Sequence, residues 1–261
     1  MDLLAALPLP PLTMAFLCGM TFLAGLIDSV AGGGGLISLP AFLASGLPSH
    51  VAFGCNKFSS AIGTTVSTAR YFRSGAMDVA AAVLAALGAF AGSALASSVL
   101  LYISDEVFRI IVICVLPVAA IVILTRKADE LSSDRSSEIA LPKRLVISAV
   151  ISLFIGGYDG LVGPGTGTFA IIAFNMALRY DLRTASGNAK VLNLASNYAS
   201  LVVMLMAGKV NFAIGIPTAI FCMAGHTIGA GIALKRGAGI IRPMLIVVLV
   251  LLLANLVSQF F

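Results

Sequence analysis

Two stripes of polar residues, each headed by a lysine, share one helical spacing in an otherwise apolar sequence. The first stripe is Lys57, Ser60, Thr64 and Ser67, and the second, 133 positions later, is Lys190, Asn193, Asn197 and Ser200. Spacings of 3, 4 and 3 keep all four side chains on one helical face, at about 100° per residue. A lysine amine at the head of each face is suited to hold an anion. Hydrogen bonding between packed membrane helices is the alternative role, although it does not require a lysine.

Two glycine-rich breaks precede short apolar segments. The first break is Gly32 to Gly35, and the second is Gly163-Pro164-Gly165-Thr166-Gly167. Each following segment therefore begins with free backbone N–H groups and with the positive end of its helix dipole inside apolar sequence. Helix N-termini of this kind attract anions. The alternative is that the glycines only let helices pack closely. Neither break has the pattern of a nucleotide-binding loop.

Asp28 and Asp159 stand just before the two breaks. A carboxylate at this position can neutralise a lysine, cap the short helix or carry a coupled proton. The spacing leaves these roles open, so both residues are candidates for proton coupling.

The sequence predicts one binding site and no catalytic machinery. The scattered cysteines and single histidines have no metal-ligand spacing, and no motif for a cofactor is present. The predicted substrate-binding residues are Gly33, Gly34, Gly35, Asn56, Lys57, Ser60, Thr64, Gly165, Thr166, Gly167, Lys190, Asn193 and Asn197.

Composition places all of these residues in a membrane. Of 261 residues, 59% are hydrophobic and 10% are charged, whereas soluble domains carry about 25% charged residues. The apolar runs follow one another so closely that no soluble domain fits between them. The net charge of +5 resides mainly in short loops, where it sets topology and does not indicate nucleic acid. The N-terminus lacks the basic start of a secretory signal, so the first apolar helix is expected to stay in the protein.

Ten segments are predicted to cross the bilayer. Eight are full spans, at about 12–31, 51–72, 79–103, 107–125, 145–162, 184–207, 212–234 and 240–260. Two short segments, 36–47 and 166–178, follow the breaks; at about 18 Å each, they are shorter than a hydrocarbon core of about 30 Å. If both cross, almost all arginines and lysines collect on one side, as the positive-inside rule requires. Re-entrant short segments would divide the basic residues between the two sides.

This topology places both termini outside and residues 126–144 in the cytoplasm. It divides the chain into a first transmembrane unit, 1–125, and a second, 145–261. An offset of 131 pairs Asp28 with Asp159 and Gly34 with Gly165, and an offset of 133 pairs Lys57 with Lys190. Each unit holds five crossings, and an odd number inverts the second unit relative to the first. The predicted fold is therefore an all-α polytopic membrane protein of two inverted five-segment repeats, each with a glycine-broken short helix.

The motifs resemble those of the sulfite exporter TauE/SafE family of membrane permeases. The resemblance covers nearly the whole chain. It rests on the run Ala31 to Gly35, Pro40, Gly54, Asn56-Lys57, Tyr71, Arg73, Gly75, Gly163, Gly165 and the block Lys190 to Asn197. The family implies transport of small anions such as sulfite, thiosulfate or organosulfonates through two inverted repeats.

The sequence therefore predicts a secondary transporter, in the exporting direction, that acts by alternating access in the bacterial inner membrane. Its partners would be a small sulfur oxyanion or organosulfonate and the lipid bilayer, with no nucleic acid. Either a proton gradient drives the transport or the protein only facilitates passive movement of the anion, since no nucleotide-binding motif is present. A passive anion channel, an accessory membrane subunit and a membrane-embedded enzyme are the alternatives, and the last lacks any nucleophile, base or metal grouping. The oligomeric state stays open.

Overall fold

The computed structural model describes residues 9–104, 107, 134–237, 239–241, 243–244 and 247. Within these residues the regular structure is α-helical, with one 3₁₀ turn at Ser136–Glu138 and no strand. The helices are α1 Pro11–Ala31, α2 Gly35–Ala44, α3 Ser49–Arg73, α4 Val79–Leu100, α5 Leu141–Leu161, α6 Thr166–Leu178, α7 Leu182–Met206 and α8 Phe212–Arg236.

The sequence predicted these eight helices, with small differences at their ends. The second short segment, α6, has the predicted bounds. Helix α5 begins at Leu141, one turn earlier than predicted, so Lys143 and Arg144 belong to its first turn and not to the loop. Proline at Pro142 explains the early start, because its fixed φ suits the first turn of a helix. The predicted span 107–125 and nearly all of 240–260 lie outside the described residues.

Five of the described helices are long and apolar enough to cross a membrane. They are α1, α4, α5, α7 and α8. Helix α3 has the necessary length of 25 residues, but Lys57 and its polar stripe make it less apolar. Helices α2 and α6 are the shorter apolar helices, with 10 and 13 residues. The protein is thus an all-helical membrane protein, and the number of ten crossings stays a prediction.

Apolar and polar side chains are distributed as in a protein surrounded by lipid. Leu95 and Phe154 are 69% and 72% exposed on the outer faces of α4 and α5. In contrast, Lys57, Asp159 and Lys190 are buried. Because lipid satisfies no polar group, the polar stripes must face the inside of the helix bundle.

The helices pack in a pattern that repeats when the two halves are exchanged. Helix α1 packs on α8, and its counterpart α5 packs on α4. Helix α3 contacts α7 and α8, and its counterpart α7 contacts α3 and α4. Close packing at glycines is present in both pairs. A Cβ at Gly92 would lie 2.1 Å from the Leu153 carbonyl oxygen, and one at Gly225 would lie 2.1 Å from the Phe22 carbonyl oxygen. Glycine therefore lets the helix backbones touch.

The two glycine breaks contact each other at the centre of the bundle. Gly32 ends α1 with φ +76°, a conformation that side chains disfavour. The Thr168 N–H donates to the Gly32 carbonyl at 2.8 Å, and the Thr168 hydroxyl donates to the Ala31 carbonyl at 2.8 Å. A Cβ on Gly32 would lie 2.2 Å from the Gly167 carbonyl carbon. The short helices α2 and α6 therefore begin next to each other.

Candidate functional site

Two buried ion pairs connect the halves of the chain. Lys57 of α3 donates to Asp159 of α5, with Nζ 2.6 Å from Oδ2. Lys190 of α7 pairs with Asp28 of α1, with Nζ 3.1 Å from Oδ2, and also donates to the Asp28 carbonyl oxygen. Each lysine thus binds the aspartate of the opposite half. Removing one partner of a buried pair leaves an uncompensated charge, at a cost of about 3–5 kcal/mol.

Polar groups from three helices surround the Asp28 carboxylate. Besides Lys190, the Gly34 N–H at the start of α2 donates to Oδ1 at 3.2 Å. The Asn193 amide of α7 donates to Oδ2 at 3.3 Å, and His226 Nε2 of α8 lies 3.7 Å from the same oxygen. Asp28 therefore lies where the amide end of a short helix meets a lysine.

Asp159 has the corresponding position at the start of α6. The Thr166 hydroxyl, in the first turn of α6, donates to Oδ1 at 2.8 Å. The Ser196 hydroxyl of α7 donates to Oδ2 at 2.6 Å, beside Lys57. Both carboxylates thus accept from a short-helix N-terminus and from a lysine. These are donors that an anionic ligand would also use.

Asn193 and Asn197 link the two ion pairs. Lys57 Nζ donates to Asn197 Oδ1 at 3.2 Å, and Asn197 Nδ2 donates to Asn193 Oδ1 at 3.0 Å. Asn193 in turn donates to Asp28. A continuous chain of hydrogen bonds therefore runs from one ion pair to the other through a single face of α7. Two residues of the second polar stripe, Asn193 and Asn197, therefore connect the two ion pairs.

A cavity lies between the two breaks and the ion pairs. Its volume is ≈ 410 Å³, including open solvent at its mouth. Both aspartates and Lys57 line it, together with backbone from both glycine breaks. The N–H groups of Gly35 and Gly167, which line the cavity, donate to no acceptor within the part of the chain that the structure describes. Unpaired N–H groups at two helix starts give the cavity positive potential.

Most of the predicted binding residues lie on this cavity. Those lining it are Gly34, Gly35, Asn56, Lys57, Ser60, Gly165, Thr166, Gly167, Asn193 and Asn197. Gly33, Thr64 and Lys190 do not line it. Lys190 instead pairs with Asp28, which lines the cavity. Thr64 is buried, and its hydroxyl has no hydrogen-bond partner in the described structure.

Sequence reasoning missed several cavity residues, of which His226 is the most important for chemistry. Cys222 and His226 of α8 lie on the wall, as do Gly25 and Ser38. The 133-residue offset could have drawn attention to His226, because it pairs this histidine with Ser93, another buried polar residue in an apolar helix. No group of three or more potential metal ligands is present among the described side chains.

A separate set of ionic contacts lies at the N-terminal ends of α4 and α5. Glu138 binds Arg135, with Oε1 2.7 Å from Nε, and also binds Arg179. The hydrogen bonds from Arg135 hold the pKa of the exposed Glu138 carboxyl below its usual value. Asp78 lies 3.0 Å from Arg144 Nε and accepts from the Tyr180 hydroxyl at 2.8 Å. These contacts fix the loops, and none of these residues lines the cavity.

The fold and the site define a polytopic α-helical membrane protein with a central polar cavity. Residues 17–256 match the profile of the sulfite exporter TauE/SafE family. The chain belongs to this family, whose members are membrane transporters and not enzymes.

Similar proteins extend over the same length. A probable membrane transporter protein of Haemophilus influenzae is 32% identical over 94% of this chain and 94% of its own. Probable membrane transporter protein YfcA of Escherichia coli K12 is 32% identical over 94% of this chain and 90% of its own. ORF9 of Sinorhizobium sp, with the same description, is 31% identical over 94% and 93%. No solved structure matches the chain.

Proposed function

We propose that this protein is a secondary transporter that exports small anions across the bacterial inner membrane by alternating access. The proposal rests on two buried ion pairs, Lys57–Asp159 and Lys190–Asp28, each of which joins the two halves of the chain. They lie at a cavity bordered by two short-helix N-termini. Cationic and amide donors converge there from both halves of the chain. Transporter sites of this kind are built where broken helices meet.

The proposed cargo is a sulfur oxyanion or organosulfonate, such as sulfite, thiosulfate or sulfoacetate. The family description supports this class. Several oxygens around one sulfur can accept hydrogen bonds from several directions, and the cavity offers the Lys57 amine, the Asn56 and Asn193 amides, the Thr166 hydroxyl and free N–H groups.

The two carboxylates bind the same donors that an anionic cargo would use. Each occupies a lysine and the start of a short helix, which are the donors that the cargo needs. An arriving anion therefore has to displace a carboxylate or meet one that has been protonated. Asp28 and Asp159 are for this reason proton-coupling candidates, and proton uptake with the anion keeps the buried charge balanced.

Alternating access is proposed to come from two inverted repeats that rock about the cavity. The helix contacts repeat when the two halves are exchanged, since α1 packs on α8 and α5 packs on α4. This supports a twofold relation between the halves. With ten crossings, both termini lie outside and residues 126–144 lie in the cytoplasm. The contact between Gly32 and Gly167, at the meeting of the two breaks, provides a fixed point for such a motion.

The experiment that tests this function is anion flux into proteoliposomes that hold the purified protein. Saturable flux of sulfite, thiosulfate or sulfoacetate, faster with an imposed pH gradient, is the expected result. Lys57→Met should reduce the flux strongly, and Lys235→Met, which changes an exposed lysine at the end of α8, should not. Steady unitary currents at fixed potential would instead show a passive anion channel. Absence of flux with all three anions would refute the proposed cargo.

A further inference from the structure

His226 is held at the cavity in a defined orientation. The residue is 1% exposed, and its ring lies between α1 and α3. Nδ1 is 3.0 Å from the Ser67 hydroxyl oxygen of α3, and Nε2 is 3.7 Å from Asp28 Oδ2 of α1. One nitrogen is therefore engaged with a neighbour, whereas the other faces a carboxylate at more than hydrogen-bonding distance.

The hydrogen bonds of Ser67 favour one position of the proton in neutral His226. The Ser67 hydroxyl donates to the Thr64 carbonyl at 3.1 Å, which leaves its oxygen to accept from Nδ1–H. With the proton on Nδ1, Nε2 of the neutral ring presents a lone pair. This lone pair faces an oxygen of Asp28, which is also an acceptor. One added proton would turn the opposed acceptors into a charge-assisted hydrogen bond.

The equivalent place in the other half has no imidazole. Ser93 lies 133 positions before His226, and its hydroxyl is 2.8 Å from that of Ser200, which is the counterpart of Ser67. A serine therefore makes the same contact between helices. Space for the ring is also present in one half only, because a Cβ on Gly63 would lie 2.4 Å from His226 Cδ2. The counterpart of Gly63 is Ser196. Helix packing alone thus does not require a histidine here.

The charges around the ring explain what a proton there would do. Asp28 of α1 and Lys190 of α7 face the ring, Cys222 lies one turn before it on α8, and Lys57 and Asp159 lie across the cavity. The two lysines and two aspartates cancel. A proton on the imidazole adds one positive charge to a neutral site and so lowers the electrostatic cost of admitting an anion.

We infer that His226 is the proton-binding residue of the anion site and takes up one proton at Nε2 for each anion bound. The inference rests on the proposed function and assigns its coupling to a residue other than the two aspartates. The proton comes from water, and no other bond is made or broken. A bound anion stabilises the imidazolium, and the imidazolium stabilises the anion, so the two bind cooperatively.

The test measures proton uptake on anion binding to the purified full-length protein in detergent. Thiosulfate and sulfoacetate are the probes, because neither changes its own charge between about pH 6 and 8, the range in which histidine usually titrates. Calorimetry in buffers of different ionisation enthalpy gives the number of protons taken up per anion. For the wild type we expect about one proton per anion at pH values at which His226 is neutral in the free protein. Over the same range the anion affinity should weaken about tenfold for each unit by which the pH rises.

His226→Gln should bind the anion more weakly, with no proton uptake and with an affinity constant within about twofold over the same range. The matched control is His50→Gln, which changes the other histidine of the chain, near the Leu100 carbonyl, and should keep the wild-type uptake. A proton still taken up by His226→Gln would assign the coupling to a carboxylate and overturn the inference.

If His226→Gln does not bind the anion, the variant His226→Lys provides the test. Its permanent positive charge should support anion binding without proton uptake. Binding to the wild type with no proton uptake overturns the inference and leaves the proposed anion function standing. No binding of either anion to the wild type overturns the inference, and absence of flux with all three anions overturns the proposed function as well. These results are distinguishable, because the first shows binding heat that is independent of the buffer and the second shows no binding heat.

Discussion

Lys57 Nζ lies 2.6 Å from Asp159 Oδ2, so a lysine of the first half is neutralised by an aspartate of the second. Lys190 and Asp28 repeat the arrangement in the opposite direction. The two pairs tie the halves together at the place where both helices break. A ligand that competes for either lysine would therefore act on the contact between the halves, which is what an alternating-access mechanism requires.

Lys57→Met should leave Asp159 buried without its cation and destabilise the protein. A broken buried pair costs about 3–5 kcal/mol, less when the remaining carboxylate takes up a proton. The double variant Lys57→Met/Asp159→Asn should recover part of this loss, because neither buried charge remains. Thermal unfolding in detergent of the wild type, both single variants and the double variant gives the coupling energy. Additive effects would contradict a direct ion pair.

Lys57→Met and Lys190→Met should each weaken anion binding. Hydrogen bonds to charged groups contribute about 1.5–3 kcal/mol, which corresponds to roughly 10- to 150-fold in the dissociation constant. Lys57 lines the cavity, whereas Lys190 acts through Asp28, so Lys57→Met should have the larger effect. Calorimetric titration with thiosulfate provides the measurement, with Lys235→Met as the control. Unchanged affinity in both variants would remove the site assignment.

Gly32→Ala should strongly destabilise the meeting point of the two breaks. The residue has φ +76°, and a Cβ would lie 2.2 Å from the backbone of Gly167. The left-handed conformation alone costs about 1–2 kcal/mol, and the backbone contact adds to this. Gly19→Ala in α1 is the matched control, since no atom lies within 4 Å of its Cβ position. It should keep the melting temperature or raise it. An equal effect of both substitutions would show that the breaks are not packed together.

Glu138→Gln tests the exposed ionic contacts of the loop. The pKa of Glu138 is lowered by Arg135, so its stabilising effect is present above the unfolded pKa and is lost as the pH falls through the lower folded value. At pH 7 the variant should have a slightly lower melting temperature than the wild type, because exposed pairs contribute little. The difference should disappear in strong acid and at high salt. A difference that persists in both conditions would exclude an electrostatic cause.

Cysteine labelling tests the predicted topology. In a variant without native cysteines, Ser137→Cys should react with an impermeant thiol reagent only after cells are opened, because the 126–144 loop is predicted to be cytoplasmic. Lys209→Cys, in the turn between α7 and α8, should react in intact cells. Labelling of Ser137→Cys from outside would overturn the positive-inside assignment and the ten crossings that it supports.

The sequence by itself determined the class of protein, the positions of the described helices and the residue types of the candidate site. Apolar runs and glycine breaks are local signals, and their periodicity is set by helix geometry. The bounds of α6 were therefore predictable, and the start of α5 was missed by only one turn. The stripes headed by Lys57 and Lys190 were visible as patterns of spacing for the same reason.

Only the tertiary structure decided which partners these residues have. The crossed pairing of each lysine with the aspartate of the opposite half joins positions more than a hundred residues apart. It depends on how α1, α3, α5 and α7 meet. The place of His226 beside Asp28 likewise depends on the contact between α1 and α8 and on the space at Gly63. Spacing along one helix contains no information on such contacts, because they are set by the packing of separate helices against each other.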